Sequence, residues 1–219
     1  SFVGIIFFNV LESINSTNGV SAIVRSDNRN AVSKSNIVVL TKQEFGTTWA
    51  ERIVHTAINE TKSPKLSENN DNILVTFLEL NSSTGDYSDL YYAQFNGSTW
   101  SDSKLVRKFD FNIESYTSVL DKNGNINIYV LDKDNGMVYH SQKSTTGEVW
   151  TNRNLIINAD EITSTKNVNG DIYIIASKYD LAENKTTVKY YNVSESLVDE
   201  KVVDTKEKMG RIKSLKTVN

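Results

Sequence analysis

Three tryptophans at nearly equal spacing constrain the fold of this chain more than any other feature of its sequence. Trp49, Trp100 and Trp150 lie 51 and 50 residues apart. Each follows a short turn-like segment and precedes an aliphatic pair, in the frames FGTTWAERIV, NGSTWSDSKLV and TGEVWTNRNLI. A frame that recurs at a period near 50 residues predicts a repeat architecture, in which each repeat is one supersecondary unit.

The repeat also has a glycine three positions before each tryptophan and a degenerate fourth copy. In that copy, SLVDEKVV, Leu197 takes the tryptophan position, 47 residues after Trp150. A large aromatic side chain suits a buried seam, so we expect the tryptophans to pack within or between the repeating units. The residues predicted to build the repeat are Gly46, Trp49, Gly97, Trp100, Gly147, Trp150 and Leu197.

Strand-like segments fill the rest of each period. NILVTFLEL, NINIYVLD and DIYIIASKYD are rich in Val, Ile and Tyr and are bounded by Asn, Asp and Gly. No segment has the i, i+3, i+4, i+7 apolar spacing of a helix between capping residues. About four strands per period predict an all-β propeller of four-stranded blades. A lectin-like β-sandwich is the alternative, although it gives no reason for equally spaced tryptophans.

The period divides the chain into about four blades and a leftover strand. The predicted blades are residues 3–60, 61–112, 113–161 and 162–208, and residues 209–219 would form a closing or next-blade strand. All-β chains of this length commonly fold as one unit. We therefore expect residues 1–219 to be a single propeller domain or a propeller fragment.

The segment QEFGTTW, residues 43–49, resembles the Asp-box (BNR repeat) of sialidases and related propellers, S-x-D-x-G-x-[TS]-W. Glu44 stands at the aspartate position, and Gly46, Thr48 and Trp49 match. The other copies match at Gly97, Thr99, Trp100, Gly147 and Trp150. The resemblance implies a sialidase-like β-propeller in which the box is a structural turn, with its acid capping backbone amides and its aromatic packing into the blade.

Sialidase chemistry, by the same resemblance, would need an arginine cluster, a tyrosine nucleophile with a partner acid, and an acidic general acid/base. The family's Arg-Ile-Pro signature is absent, since the single proline, Pro64, lies in KSPKL. Arg52 and Arg153 both lie three positions after a repeat tryptophan. That equivalence predicts an outer-strand surface role for both arginines rather than convergence on one site.

Other catalytic or metal-binding patterns are weak. Acidic pairs such as Asp132 with Asp134 read as turn residues, and DKDNG, residues 132–136, lacks the distal glutamate of a calcium loop. The chain has no cysteine and only two histidines, His55 and His140, far apart in sequence. No G-x-S-x-G anchors a nucleophilic serine. We therefore predict no catalytic, cofactor-binding or metal-binding residue and no cofactor.

Tyrosine pairs occur in equivalent strands, at Tyr91–Tyr92 and Tyr190–Tyr191. Neighbouring residues in a strand point to opposite faces, so one tyrosine of each pair is expected in the core. The alternative is that tyrosines form platforms for sugar rings, since their faces are apolar and their tips polar.

The charge and hydropathy of the chain bear on its partners. A formal net charge of −3 and a pI near 5.5 argue against nucleic acid, and no apolar run is long enough for membrane insertion. N-x-[ST] sequons permit a secreted protein. We predict a non-catalytic recognition module, carbohydrate-binding or adhesive, that is extracellular or at a cell surface and whose partners are glycans or another protein. Two alternatives stay open: a protein–protein interaction scaffold, and a fragment or divergent member of the sialidase-like glycoside hydrolases.

Overall fold

The computed structural model of the chain describes residues 9–15, 19–27, 35–132, 134–155, 157–167, 169–194 and 197–207. These residues form sixteen β-strands and no helix. Within this described part, therefore, there is no helix of the length and apolarity that a bilayer crossing requires. Residues 209–219, predicted to form a leftover strand, lie outside it, and so does the side chain of Leu197.

The strands form four antiparallel sheets of four strands each, which we call blades 1 to 4. Blade 1 contains β1 (Asn9–Asn15), β2 (Ser21–Asp27), β3 (Asn36–Lys42) and β4 (Ala50–His55). Blade 2 contains β5 (Thr61–Asn69), β6 (Asn72–Asn81), β7 (Asp86–Asn96) and β8 (Lys104–Lys108). Blade 3 contains β9 (Ser115–Leu120), β10 (Ile126–Asp132), β11 (Met137–Lys143) and β12 (Trp150–Leu155). Blade 4 contains β13 (Glu161–Lys166), β14 (Ile172–Asp180), β15 (Lys185–Ser194) and β16 (Leu197–Glu207).

Each blade is a meander, in which every strand pairs with the next one along the chain. The predicted all-β class and the four-stranded blades are confirmed. The sandwich alternative is wrong, because the described strands form four separate sheets of four strands rather than two larger ones. That the whole chain is one propeller domain, with the boundaries given above, stays a prediction.

Within a blade, strands with more apolar residues are more buried. All seven residues of β10 (INIYVLD) are buried, which is the pattern of a strand covered on both faces. The fourth strands β8 and β12 are mostly exposed and correspondingly polar. β8 and β12 are therefore the outer edges of blades 2 and 3.

The chain divides into two compact units, residues 1–112 and 113–219. In the first unit, blades 1 and 2 share an apolar cluster that includes Val24, Val39, Val75 and Phe77. In the second unit, blades 3 and 4 share another cluster, which includes Tyr129, Leu131, Ile174 and Tyr191. Each blade thus buries one face against its neighbour in the same unit, as a repeat that cannot cover itself must.

The repeat tryptophans occupy corresponding places in the chain but differ in burial. Trp49 immediately precedes β4, Trp100 lies shortly before β8, and Trp150 begins β12. Trp100 is 5% exposed and packs on Phe95, whereas Trp49 is 42% exposed and Trp150 is half-buried. The expectation that all three fill a buried seam is therefore wrong for Trp49.

The tyrosine pairs follow the alternation of a strand. Tyr92 and Tyr191 are buried, and their neighbours Tyr91 and Tyr190 are half-buried. The prediction that one member of each pair packs in the core is confirmed.

Candidate functional site

A polar cleft of about 780 Å³ lies between blades 3 and 4, within the second compact unit. Blade 3 supplies the β9–β10 turn and parts of β10, β11 and β12, and blade 4 supplies the β13–β14 turn, the first residue of β14 and one residue of β15. The lining residues are Asp121, Lys122, Asn123, Asn125, Asn127, His140, Gln142, Thr151, Asn152, Arg153, Gly170, Asp171, Ile172 and Val193. Most of them carry amide, hydroxyl or charged groups.

The blade 3 side of the cleft mouth is the turn DKNGN, residues 121–125. The Asp121 carboxylate accepts hydrogen bonds from the backbone N–H groups of Asn123 and Asn125, at 2.9 and 2.8 Å, and from the Asn125 side chain. Short Asp and Asn side chains stabilise turns by binding backbone amides one or two residues on. The local sequence therefore fixes this wall before any ligand is present.

The blade 4 side is the corresponding turn in the segment NVNGD, of which Asn167 and residues 169–171 are described, and these residues have the same hydrogen-bond pattern. Asn167 Oδ1 accepts from the backbone N–H groups of Asn169 and Asp171, both at 2.9 Å, and its amide nitrogen donates to the Asp171 carboxylate. Two equivalent turns, one per blade, thus flank the cleft.

Gly170 permits the two turns to approach each other. Its φ is +81°, a left-handed conformation that costs other L-residues about 1–2 kcal/mol. A Cβ at this position would lie 2.5 Å from the Cβ of Lys122 in the other turn. The width of the cleft mouth therefore depends on the absence of a side chain at residue 170.

A buried network of polar side chains forms the blade 3 wall of the cleft. His140 Nε2 lies 3.0 Å from Asn127 Oδ1, and Gln142 Nε2 donates to the same oxygen at 3.1 Å. Arg153 Nε donates to His140 Nδ1 at 2.8 Å. The imidazole also stacks on the ring of Tyr129, with centroids 4.5 Å apart and planes inclined by 11°.

These contacts determine the protonation of His140. An arginine N–H can only donate, so Nδ1 must accept and Nε2 must carry the proton that is given to Asn127. Burial, followed by the positive charge of Arg153, lowers the pKa of His140 to about 3. The imidazole is therefore neutral near pH 7 and orients the groups around it rather than exchanging protons.

The charges that line the cleft balance. Asp121 and Asp171 are acidic, and Lys122 and Arg153 are basic. Both carboxylates accept hydrogen bonds within their own turns. Among the described residues, no group of three His, Cys, Asp or Glu side chains could hold a metal ion. The arrangement offers many hydrogen-bond donors and acceptors with no net charge.

The predicted repeat residues lie elsewhere. None of Gly46, Trp49, Gly97, Trp100, Gly147 and Trp150 lines the cleft. The described residues of the DKDNG segment, Asp132 and residues 134–136, form a turn in which the Asp132 carboxylate accepts from the Asp134 N–H and the Asn135 side chain. That segment is a turn of the blade, as the turn interpretation predicted.

Arg153 lies on the outer strand β12, as predicted, but it is half-buried and lines the cleft, so its role is not limited to the surface. Arg52 and Arg153 share a repeat position, but Arg52 lies opposite Val39 and pairs with the exposed Asp102, whereas Arg153 lies opposite His140 and lines the cleft. The different cross-strand neighbour gives the same repeat position a different role. Sequence analysis missed the cleft because the repeat frame does not reveal cross-strand neighbours; His140, one of two histidines in the chain, was the available signal.

Comparisons with known proteins support the fold. No family model matches the chain, and no curated protein matches it. A sialidase from Trypanosoma rangeli, solved in complex with 2,3-difluorosialic acid, is similar with a TM-score of 0.58 and 12% identity over 89% of this chain and 37% of the sialidase. A PL25 ulvan lyase is similar with a TM-score of 0.57 and 13% identity over 90% of this chain and 56% of the lyase. The GH62 α-L-arabinofuranosidase catalytic domain of Coprinopsis cinerea is similar with a TM-score of 0.52 and 8% identity over 91% of this chain and 68% of that domain.

The chain spans about a third to a little over half the length of the first two of these proteins. Identities of 8–13% establish likeness of fold alone. Together with the four meander blades and the Asp-box resemblance of residues 43–49, they show that this chain has a β-propeller fold similar to that of the sialidases.

Proposed function

We propose that this protein is a recognition module whose cleft between blades 3 and 4 binds an uncharged carbohydrate without catalysing a reaction on it. The observation that carries the proposal is the cleft lining, which combines amide, hydroxyl and charged groups with a preoriented buried network. Sugars present hydroxyls that both donate and accept hydrogen bonds, and the side chains of this lining can pair with both kinds of bond.

Preorganisation favours this use of the cleft. Asn127 is buried and His140 is 4% exposed, and each is held by hydrogen bonds to protein groups on its own blade. A ligand that meets fixed donors and acceptors does not have to order them, so less binding free energy is lost on association. Few convergent polar groups on a rigid wall are typical of small-ligand sites.

The balance of charge supports an uncharged ligand. Two acids face two bases, and Arg153 is the single arginine in the lining. The sialidase resemblance would instead imply an arginine cluster for a substrate carboxylate. The three structural neighbours are named for carbohydrate chemistry, which agrees with a glycan ligand.

The acids of the cleft support a non-catalytic role. Glycoside hydrolysis generally uses two carboxyl groups on either side of the bond, one of them a proton donor. Asp121 and Asp171 instead hold their turns together through their carboxylates. We further propose an extracellular or cell-surface location, where such a module would meet glycans.

A glycan array, followed by calorimetric titration of the best binder, tests the proposal. We expect an uncharged glycan to bind, and Asn123→Ala and Asn152→Ala each to weaken binding at least tenfold, because both residues line the cleft. Asn169→Ala is the matched control for Asn123, since it occupies the same position of the other turn and lies outside the lining. Asn154→Ala is the control on β12.

Three results would contradict the proposal. A folded protein that binds no glycan on the array favours the scaffold alternative. Binding that survives both cleft substitutions would place the ligand elsewhere. Turnover of a fluorogenic sialoside by the purified chain would show that the protein is an enzyme of the sialidase type.

A further inference from the structure

A hydrogen-bonded chain of Ser103, His55 and Glu79 lies in the first compact unit, outside the cleft. His55 Nδ1 is 2.8 Å from Ser103 Oγ, and His55 Nε2 is 3.2 Å from Glu79 Oε2. The three residues come from the end of β4, the loop before β8, and β6. A serine, an imidazole and a carboxylate in series are the parts of a nucleophile–base–orienter set.

The carboxylate fixes which nitrogen of His55 holds the proton. Burial alone would raise the pKa of Glu79, but hydrogen bonds from His55, Asn59 and Ile58 and the attraction of His55 together hold it below its usual value. An ionised carboxylate only accepts, so this contact selects the imidazole tautomer that carries its hydrogen on Nε2. The lone pair at Nδ1 then faces the hydroxyl of Ser103.

Packing holds the imidazole in this orientation. The ring lies 4.8 Å from the ring of Phe77 and 5.0 Å from that of Tyr91, and those two rings are nearly parallel. The side chains of His55 and Glu79 are 10% and 6% exposed, whereas Ser103 is half-buried. His55 and Glu79 are thus shielded from water more than Ser103 is.

We propose that Ser103 is an activated nucleophile that attacks small uncharged carboxylic esters, with His55 as its general base and Glu79 as the positioning residue. Ile53, two residues before His55, and Leu105, two residues after Ser103, are 47% and 40% exposed, and we expect them to offer apolar surface to the acyl group.

The reaction has two balanced steps. Ser103 Oγ forms a bond to the ester carbonyl carbon as its proton moves to His55 Nδ1; the bond to the alcohol oxygen then breaks, and the leaving oxygen takes that proton. Water then attacks the acyl carbon and gives a proton to Nδ1; the bond from that carbon to Ser103 Oγ breaks, the acid leaves, and the proton returns to Oγ.

The expected acceleration is modest. The backbone N–H of Ser103 donates to the Val54 carbonyl at 3.0 Å, so it is committed and does not stabilise an oxyanion. A positioned general base alone contributes about 10²–10⁴-fold. Covalent labelling is therefore a more sensitive test than turnover.

The test is the labelling rate with a fluorophosphonate probe, with the labelled residue located by tandem mass spectrometry. We expect the wild-type chain to be labelled at Ser103, and Ser103→Ala to lose that label. Ser101→Ala is the matched control, since Ser101 lies in the same loop and its hydroxyl accepts from the Gln94 N–H instead. It should label at the wild-type rate.

Glu79→Gln separates activation from folding. The amide can still accept from Ile58 and Asn59, but its N–H₂ group would face His55 Nε2 and drive the proton to Nδ1. We expect labelling to fall at least 100-fold, with little change in melting temperature and with ¹⁵N shifts that place the His55 proton on Nδ1. A wild-type chain unlabelled at Ser103, or a Glu79→Gln variant labelled at the wild-type rate, would overturn the proposal.

Discussion

A repeat position does not by itself determine burial of the side chain it carries. Trp100 packs on Phe95, with ring centroids 5.5 Å apart, and Phe95 and Trp100 also form a backbone bridge. Trp49, at the same place in blade 1, is 42% exposed, so the same frame serves a buried aromatic in one blade and a partly exposed one in another.

The two tryptophans should therefore differ in their effect on stability. We expect Trp100→Ala to cost about 3–5 kcal/mol, the range for large aromatic residues in cores, and Trp49→Ala to cost about 1 kcal/mol or less. Trp100→Phe should be milder than alanine, because most of the apolar volume remains and the indole N–H that it removes is buried without a partner in the described part of the chain. Urea unfolding of the three variants measures this. Equal losses for Trp49→Ala and Trp100→Ala would contradict it.

The sequence allowed the blade architecture to be predicted, because turn residues and apolar alternation act locally. It did not allow the cleft to be predicted, because the role of Arg153 depends on His140 across the sheet, and its repeat mate Arg52 faces Val39. The pairing of Ser103 with His55 was also missed. Those two residues are 48 positions apart and meet only because blades 1 and 2 stack in the first unit.

At the scale of elements, two equivalent hairpin turns, one from blade 3 and one from blade 4, flank the cleft and fix its position. DKNGN and NVNGD differ at three of five positions, yet their first side chains bind the same backbone amides. The glycine that they share permits a left-handed residue in each turn, and in Gly170 it also permits contact with Lys122. A conserved hydrogen-bond pattern therefore requires little sequence identity.

Gly170 and Gly85 form a matched pair for this contact. Both are left-handed, with φ of +81° and +80°, but a Cβ at Gly85 would meet nothing within 4 Å. We expect Gly85→Ala to cost about 1–2 kcal/mol for the backbone alone. Gly170→Ala should cost about 1–3 kcal/mol more, because a side chain is forced into a filled space. Urea unfolding measures both, and equal costs would mean that the two turns separate without penalty.

At the scale of the molecule, each compact unit has its own apolar cluster and its own polar cluster. The first contains Trp100 and the chain from Ser103 to Glu79, and the second contains the cleft and His140. The prediction of a single propeller domain requires the two units to unfold together. A change in stability that is caused by a residue of one unit must then be detected by a probe located in the other unit.

Acid acting on His140 provides such a perturbation. Its folded-state pKa of about 3 lies below the unfolded value near 6.5, so the unfolded chain binds the extra proton first. Stability is therefore lost as pH falls below about 6.5, by up to about 1.4 kcal/mol per unit, or about 2 kcal/mol between pH 7 and pH 5. Other carboxyl groups titrate as well, so the reference is His140→Gln, whose amide can still accept from Arg153 and donate to Asn127 without titrating.

Trp100 reports on the first unit once Trp49 and Trp150 are replaced by phenylalanine. If the chain is a single domain, the free energy of unfolding measured by Trp100 fluorescence in urea falls between pH 7 and pH 5. We expect this fall to be about 2 kcal/mol larger in the protein with His140 than in the His140→Gln variant. The reason is that every probe in a cooperatively unfolding domain reports the same free energy of unfolding, which includes the protonation of His140. If the Trp100 transition shows the same pH dependence in both proteins, while circular dichroism detects a second, His140-dependent transition, the units unfold separately and the single-domain prediction is wrong.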